Sequence, residues 1–203
     1  MKKFALATSL ILALTACGGN DSGTASSTLG SDGSPQVAIP ADATTQDYTC
    51  RVTHVFSDNG APEETSTFDY SGVIHDWQEG DLFVSFDWDS SGNEAYLTKV
   101  RSEKITEIQK RSFIQQTHWE RENGAWIQTV KNIERVSERE NGQFRVISNK
   151  VNGVETPYDW NAEFTPVNDN QFKEIRRHKD PSSRNKDGIR YSKIEDVCSY
   201  TNR

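Results

Sequence analysis

Four Asn-Gly dipeptides, at Asn59-Gly60, Asn123-Gly124, Asn141-Gly142 and Asn152-Gly153, punctuate a chain whose intervening segments alternate apolar and polar residues. An Asn-Gly pair suits the type I′ turn, which needs two consecutive positive φ angles and matches the twist of antiparallel strands. Alternation with period two gives each segment one face against protein and one against water. Tyr48, Cys50, Val52, His54 and Phe56 share one face, as do Leu82, Val84, Phe86 and Trp88. Tyr158, Trp160, Ala162 and Phe164 alternate with Asp159, Asn161, Glu163 and Thr165. Two of the turns close a repeated pentapeptide, Glu-Arg-Glu-Asn-Gly, which begins at Glu120 and again at Glu138. That spacing is one strand of about fifteen residues plus a turn. The repeat therefore predicts two hairpin tips and not a duplicated binding loop.

Helix has little support. Beyond the N-terminal apolar run only Leu29, Leu82 and Leu97 are leucines, while Val, Ile, Thr and aromatic residues are plentiful. Ala95–Gln116 fits neither period well, and is expected as one or two irregular strands. Further turn-rich points at Glu79-Gly80-Asp81, Asp89–Asn93, Val167–Asn170 and the longer Asp180–Gly188 bring the count to about nine or ten antiparallel strands in sequence. An all-β meander of that length in one domain must curl, and closure removes its edges. The expected fold is an up-and-down meander forming a closed or half-open β-barrel. It is similar to lipocalins in architecture only, with no family indicated for the domain.

The N-terminus carries an address. Residues Met1–Ala16 have two lysines and then an apolar run too short to span a bilayer, the pattern of a secretory signal peptide. Leu14-Thr15-Ala16-Cys17, followed by Gly18-Gly19, resembles the lipobox of bacterial lipoproteins. The resemblance implies cleavage before Cys17, a diacylglyceryl thioether on its sulfur and a further acyl chain, such as palmitate, on the new N-terminus. Several acyl chains at about 0.8 kcal/mol per buried methylene hold a protein on a membrane permanently. Gly18 in place of Asp implies sorting to the outer membrane, with the periplasmic face expected over the cell surface. Residues 17–46 are mostly small and polar and are expected to form a flexible tether, leaving 47–203 as one folded domain.

Cys17 being lipidated, Cys50 and Cys198 remain, and in an oxidising periplasm they are expected as a disulfide. Such a bridge would link the first strand to the last, where a barrel brings them together. The net charge of −7 becomes −9 once Lys2 and Lys3 are removed. An acidic surface argues against a nucleic-acid partner, because phosphate binding needs basic groups.

Catalytic and metal-binding patterns do not emerge. His54, His75, His118 and His178 lie on different segments, with no ligand spacing between them, so no metal and no cofactor is expected. Asp87, Asp89, Ser91 and Gly92 match the first half of a calcium loop, but Thr98 stands where a bidentate Glu belongs. A turn rich in Asp, Ser and Gly explains that stretch without calcium. Five tryptophans suggest an aromatic core or an aromatic-lined cavity. Trp88 and Trp160 are expected to point inward and are the ligand-contact candidates, whereas Trp77, among Asp76, Glu79 and Asp81, is expected at an exposed turn. The expected function is a non-enzymatic binding module for a protein partner or a small apolar ligand. A surface-displayed lipoprotein and a β-barrel enzyme are the alternatives.

Overall fold

Asn123 and Gly124 adopt φ of 50° and 86°, and Asn152 and Gly153 adopt 51° and 81°. These are the paired left-handed residues of type I′ turns. The computed structural model describes residues 27–31, 33–58, 62–140, 143–179 and 189–202. Asn59-Gly60, Asn141-Gly142 and Cys17 therefore lie outside the described residues. Among the described residues there is no helix; the strands are β1 (Ser27–Leu29), β2 (Pro35–Val37), β3 (Thr44–Asp58), β4 (Glu64–Glu79), β5 (Leu82–Asp89), β6 (Glu94–Lys104), β7 (Gln109–Glu122), β8 (Ala125–Glu140), β9 (Gln143–Val151), β10 (Val154–Glu155), β11 (Trp160–Asn168), β12 (Gln171–His178) and β13 (Ile189–Asn202).

Strands β3 to β9 and β11 to β13 pair antiparallel in chain order, and β13 returns to pair with β3. The ring is a closed, ten-stranded up-and-down barrel; β10 is an extra two-residue strand that pairs only with β9. Cys50 lies directly opposite Cys198 at the β3–β13 joint and is bonded to it across 148 residues of sequence. The 16-residue strand β8 runs from beside the Asn123-Gly124 turn to Glu140, so the first Glu-Arg-Glu-Asn-Gly segment and residues 138–140 of the second lie at opposite ends of the barrel. Ala95–Gln116 forms most of two regular strands, β6 and β7, joined by a turn at 105–108.

The ring has two faces with different chemistry. One face carries Cys50, Tyr70, Asp87, Ala162, Arg176 and Asp196 and runs continuously from strand to strand through their registers. The other carries exposed ion pairs such as Arg51–Asp69 and Arg177–Glu163, and is the outside of the barrel. Between Tyr48 and Asp87 the lumen makes room for a ring by omitting a side chain. A Cβ on Gly72 would stand 2.5 Å from the Tyr48 hydroxyl and 2.4 Å from the Trp88 carbonyl. The Tyr48 ring lies over bare backbone and its hydroxyl donates to Asp87 Oδ1 at 2.8 Å.

The outside has a core of its own. Trp77, Val84, Phe86, Ala95, Leu97 and Trp119 pack together on the outer face of β4–β7, with Trp119 fully buried. Alternation on the same strands as the lumen residues puts them outside the ring. Val37 and Ala43 from the N-terminal segment, with Trp88 and Trp126, complete the cluster. The β1–β2 hairpin, with Pro35 buried, thus straps the wall from outside. Two expectations need correcting. Trp77 is a buried residue of β4 and not an exposed turn residue, because it packs into the outer cluster with Val84 and Phe86. Trp88 faces outward, half-buried, with its ring 5.8 Å from that of Trp126. The described structure also starts earlier than residue 47: β1, β2 and the first residues of β3 come from the stretch expected as tether.

Candidate functional site in the barrel lumen

Strand β12 places Phe172, Glu174, Arg176 and His178 on the lumen face, and its neighbour β13 places Asp196 opposite Glu174. Arg176 Nη2 donates to Asp196 Oδ2 at 2.5 Å, and Arg176 Nε stands 3.7 Å from Glu174 Oε1. All three residues are buried, with 3–6% of their surface exposed. One arginine thus faces two carboxylates away from water, where a charge is tolerated only if paired. Burial pushes the Glu174 carboxyl up to about 7, against the downward pull of Arg176. Glu174 Oε2 and Arg176 Nε have no hydrogen-bond partner among the described residues.

A second acidic group faces this cluster across the tyrosines. Burial pushes Asp87 up to about 7, with the Tyr48 hydrogen bond opposing the rise and Asp89 and Asp76 adding to it. Burial also raises Asp76, whose Oδ1 lacks a partner among the described residues. Tyr70 and Tyr200 are both raised, chiefly by burial, and both feel the charges of Asp87 and Glu174. The lumen is therefore a polar core: rings and hydroxyls separating Asp76, Asp87 and Glu174, which burial biases toward their neutral forms. Tyr48 and Tyr70, with ring centroids 5.9 Å apart, and Phe172 against Tyr200, at 5.6 Å, fill the space beside the disulfide.

Trp160 lies on the lumen face of β11, half-buried and edge-on to His178 at 4.9 Å. The two aromatic candidates are thus on opposite faces of the wall, and the structure does not bring them together. Asp87 to Asp89 end β5 and residues 90–93 form the turn: Asp89 Oδ1 accepts from Ser91 N at 2.5 Å and the Asp89 carbonyl accepts from Gly92 N at 2.9 Å. Thr98 is a buried residue of β6, and Asp87 is bonded to Tyr48. Glu174, Arg176 and Asp196 escaped sequence reasoning. The readable signal was Asp196 on the same alternating face as Ile194 and Cys198; on β12, charges on both faces hid the pattern.

The wall itself has two weak places. β9 and β11 pair over three residues only, Arg145–Asn161 to Gln143–Glu163. Beyond them a groove of about 330 Å³ opens beside Val146, Ile147, Pro157 and Tyr158. Lys179 bridges it, its Nζ donating to the carbonyls of Val146 (3.0 Å) and Tyr158 (2.6 Å). The second place is β4. It pairs with β3 over Glu64–Asp76 but with β5 only from Gly72 onward, so Glu64–Asp69 stand exposed along an open edge. At that end His54, Phe56, Phe68 and Tyr191 form a run of rings with centroids 5.2–5.9 Å apart.

Fold and lumen define a closed β-barrel with a polar interior built around the Arg176–Asp196 ion pair. Compared with protein-family models, curated proteins and solved structures, the chain matches none.

Proposed function

We propose that the chain is a lipid-anchored protein of the bacterial outer membrane, facing the periplasm, whose barrel is a non-enzymatic binding module for a protein partner. The observation that carries the choice of partner is the filling of the lumen. An apolar ligand entering it would part Arg176 from Asp196 or desolvate Glu174 further, and separating a buried ion pair costs about 3–5 kcal/mol. Ionic and aromatic packing suits a rigid scaffold that presents its outer surface and rim, where Phe68 is 39% exposed beside an open strand. The sequence from Leu14 to Gly19 supports the anchor, and the acidic balance supports a partner other than nucleic acid.

The test is chemical crosslinking in the native envelope followed by capture of the full acylated chain. One protein recovered in fixed stoichiometry is the expected result. Recovery of lipid or a small apolar molecule alone would refute the protein-partner reading. Mass spectrometry of the N-terminal peptide tests the anchor: a diacylglyceryl thioether on Cys17 is expected, and a free Cys17 would remove the lipoprotein reading.

A further inference from the structure

The open edge of β4 has its hydrogen-bonding direction fixed by one contact. The Ser71 carbonyl accepts from Ser90 N at 2.9 Å, on the side of β4 that β5 lines up to its last residue, Asp89. Peptide groups of alternate residues on a strand point the same way, so Asp69, Thr67 and Thr65 turn their N–H and C=O groups to that side too. No strand lies there among the described residues. Proteins that keep such an edge unpaired defend it with charged side chains, lysine above all, with proline, a bulge or a covering loop. Glu64–Ser71 contains neither proline nor lysine, its two charges are Glu64 at one end and Asp69, paired with Arg51, at the other, and its register with β3 runs without a shift.

We infer that this edge is a docking surface whose occupant is a second copy of the chain, paired antiparallel, β4 to β4, about a twofold axis at Thr67. Register selects this arrangement. Centred on Thr67, the pairs Thr65–Asp69, Thr67–Thr67 and Asp69–Thr65 each exchange two hydrogen bonds and use the edge-facing peptide groups of Thr65, Thr67 and Asp69. Sliding one step in one direction leaves Asp69 without an exchange and sets Glu63 opposite Asp69, a like-charge pair. A step in the other direction sets Thr65 opposite Ser71, whose carbonyl Ser90 already holds. In the Thr67 register each carboxylate meets a hydroxyl residue: Glu64 opposes Tyr70 and Asp69 opposes Thr65. Ser66 opposes Phe68, bringing the two exposed phenyl rings to the same face near the axis. A twofold pairing of one patch with itself closes and does not propagate into fibres.

This inference stands apart from the partner reading above, and its test is geometric. In the full acylated chain within its native envelope, Thr67→Cys is expected to give a reducible band of twice the mass after mild oxidation. Thr65→Cys alone and Asp69→Cys alone should give none, whereas coexpressed they should crosslink to each other. Thr67→Pro removes a donor from the ladder and should weaken self-association of the purified chain at least about tenfold by sedimentation. A far-ultraviolet dichroism spectrum and a tryptophan emission maximum matching those of the wild type report that this variant is folded. Equal crosslinking at all three positions, or none at any, would overturn the inference. Capture of a different protein through Cys at position 67 would overturn it as well, while leaving the binding-module reading intact.

Discussion

Replacing Asp87 by Asn separates the cost of the polar lumen from everything else in the barrel. Asn keeps an oxygen to accept from the Tyr48 hydroxyl, so the 2.8 Å contact and the packing over Gly72 survive. What changes is ionisation. The folded-state value of about 7 lies above the ordinary 3.8, so the folded chain holds this proton longer than the unfolded chain. Stability from that proton is complete below about pH 4 and is lost as the pH rises to 7. From pH 5 to 8 the effective stretch is the two units between 5 and 7, worth about 3 kcal/mol at about 1.4 kcal/mol per unit. Glu174 acts in the same direction and is common to both proteins. Urea unfolding followed by tryptophan fluorescence, disulfide intact, at pH 5 and pH 8, measures the difference. The wild type should lose about 3 kcal/mol more than Asp87→Asn across that interval. Parallel losses in the two proteins would show that Asp87 does not carry its proton into the folded lumen.

Three further outcomes test other parts of the wall. Cys50→Ser with Cys198→Ser opens a loop of 148 residues and should cost about 4–5 kcal/mol on the chain-entropy model, read as a lower urea midpoint. Gly72→Val would set a side chain against the Trp88 carbonyl and the Tyr48 ring, which cannot both move; a loss above about 3 kcal/mol and a changed near-ultraviolet dichroism of the tyrosines are expected. Arg176→Met leaves Glu174 and Asp196 unpaired in the lumen and should destabilise by about 3–5 kcal/mol at pH 8, and by less at pH 5, where Glu174 is protonated.

The class of fold, the turns that space it and the bond that locks it were legible in the chain before folding. Asn123-Gly124 and Asn152-Gly153 act locally, since two positive φ angles suit few other pairs. Alternation shows which side chains share a face, and so it grouped Leu82, Val84, Phe86 and Trp88 correctly. It does not show which face a sheet will enclose, because that depends on the sense in which ten strands curl. The apolar face of β5 turned outward, and the lumen received Ser85 and Asp87. Only the closed ring brought Glu174, Arg176 and Asp196 together with Tyr70 and Asp87, whose strands are far apart in sequence. Likewise only tertiary structure laid Val37 and Ala43 against the cluster around Trp119 and left Thr65, Thr67 and Asp69 along an open edge. A strand's pairing length is set by the stagger of its neighbours around the barrel, a property of the whole ring that no single segment encodes.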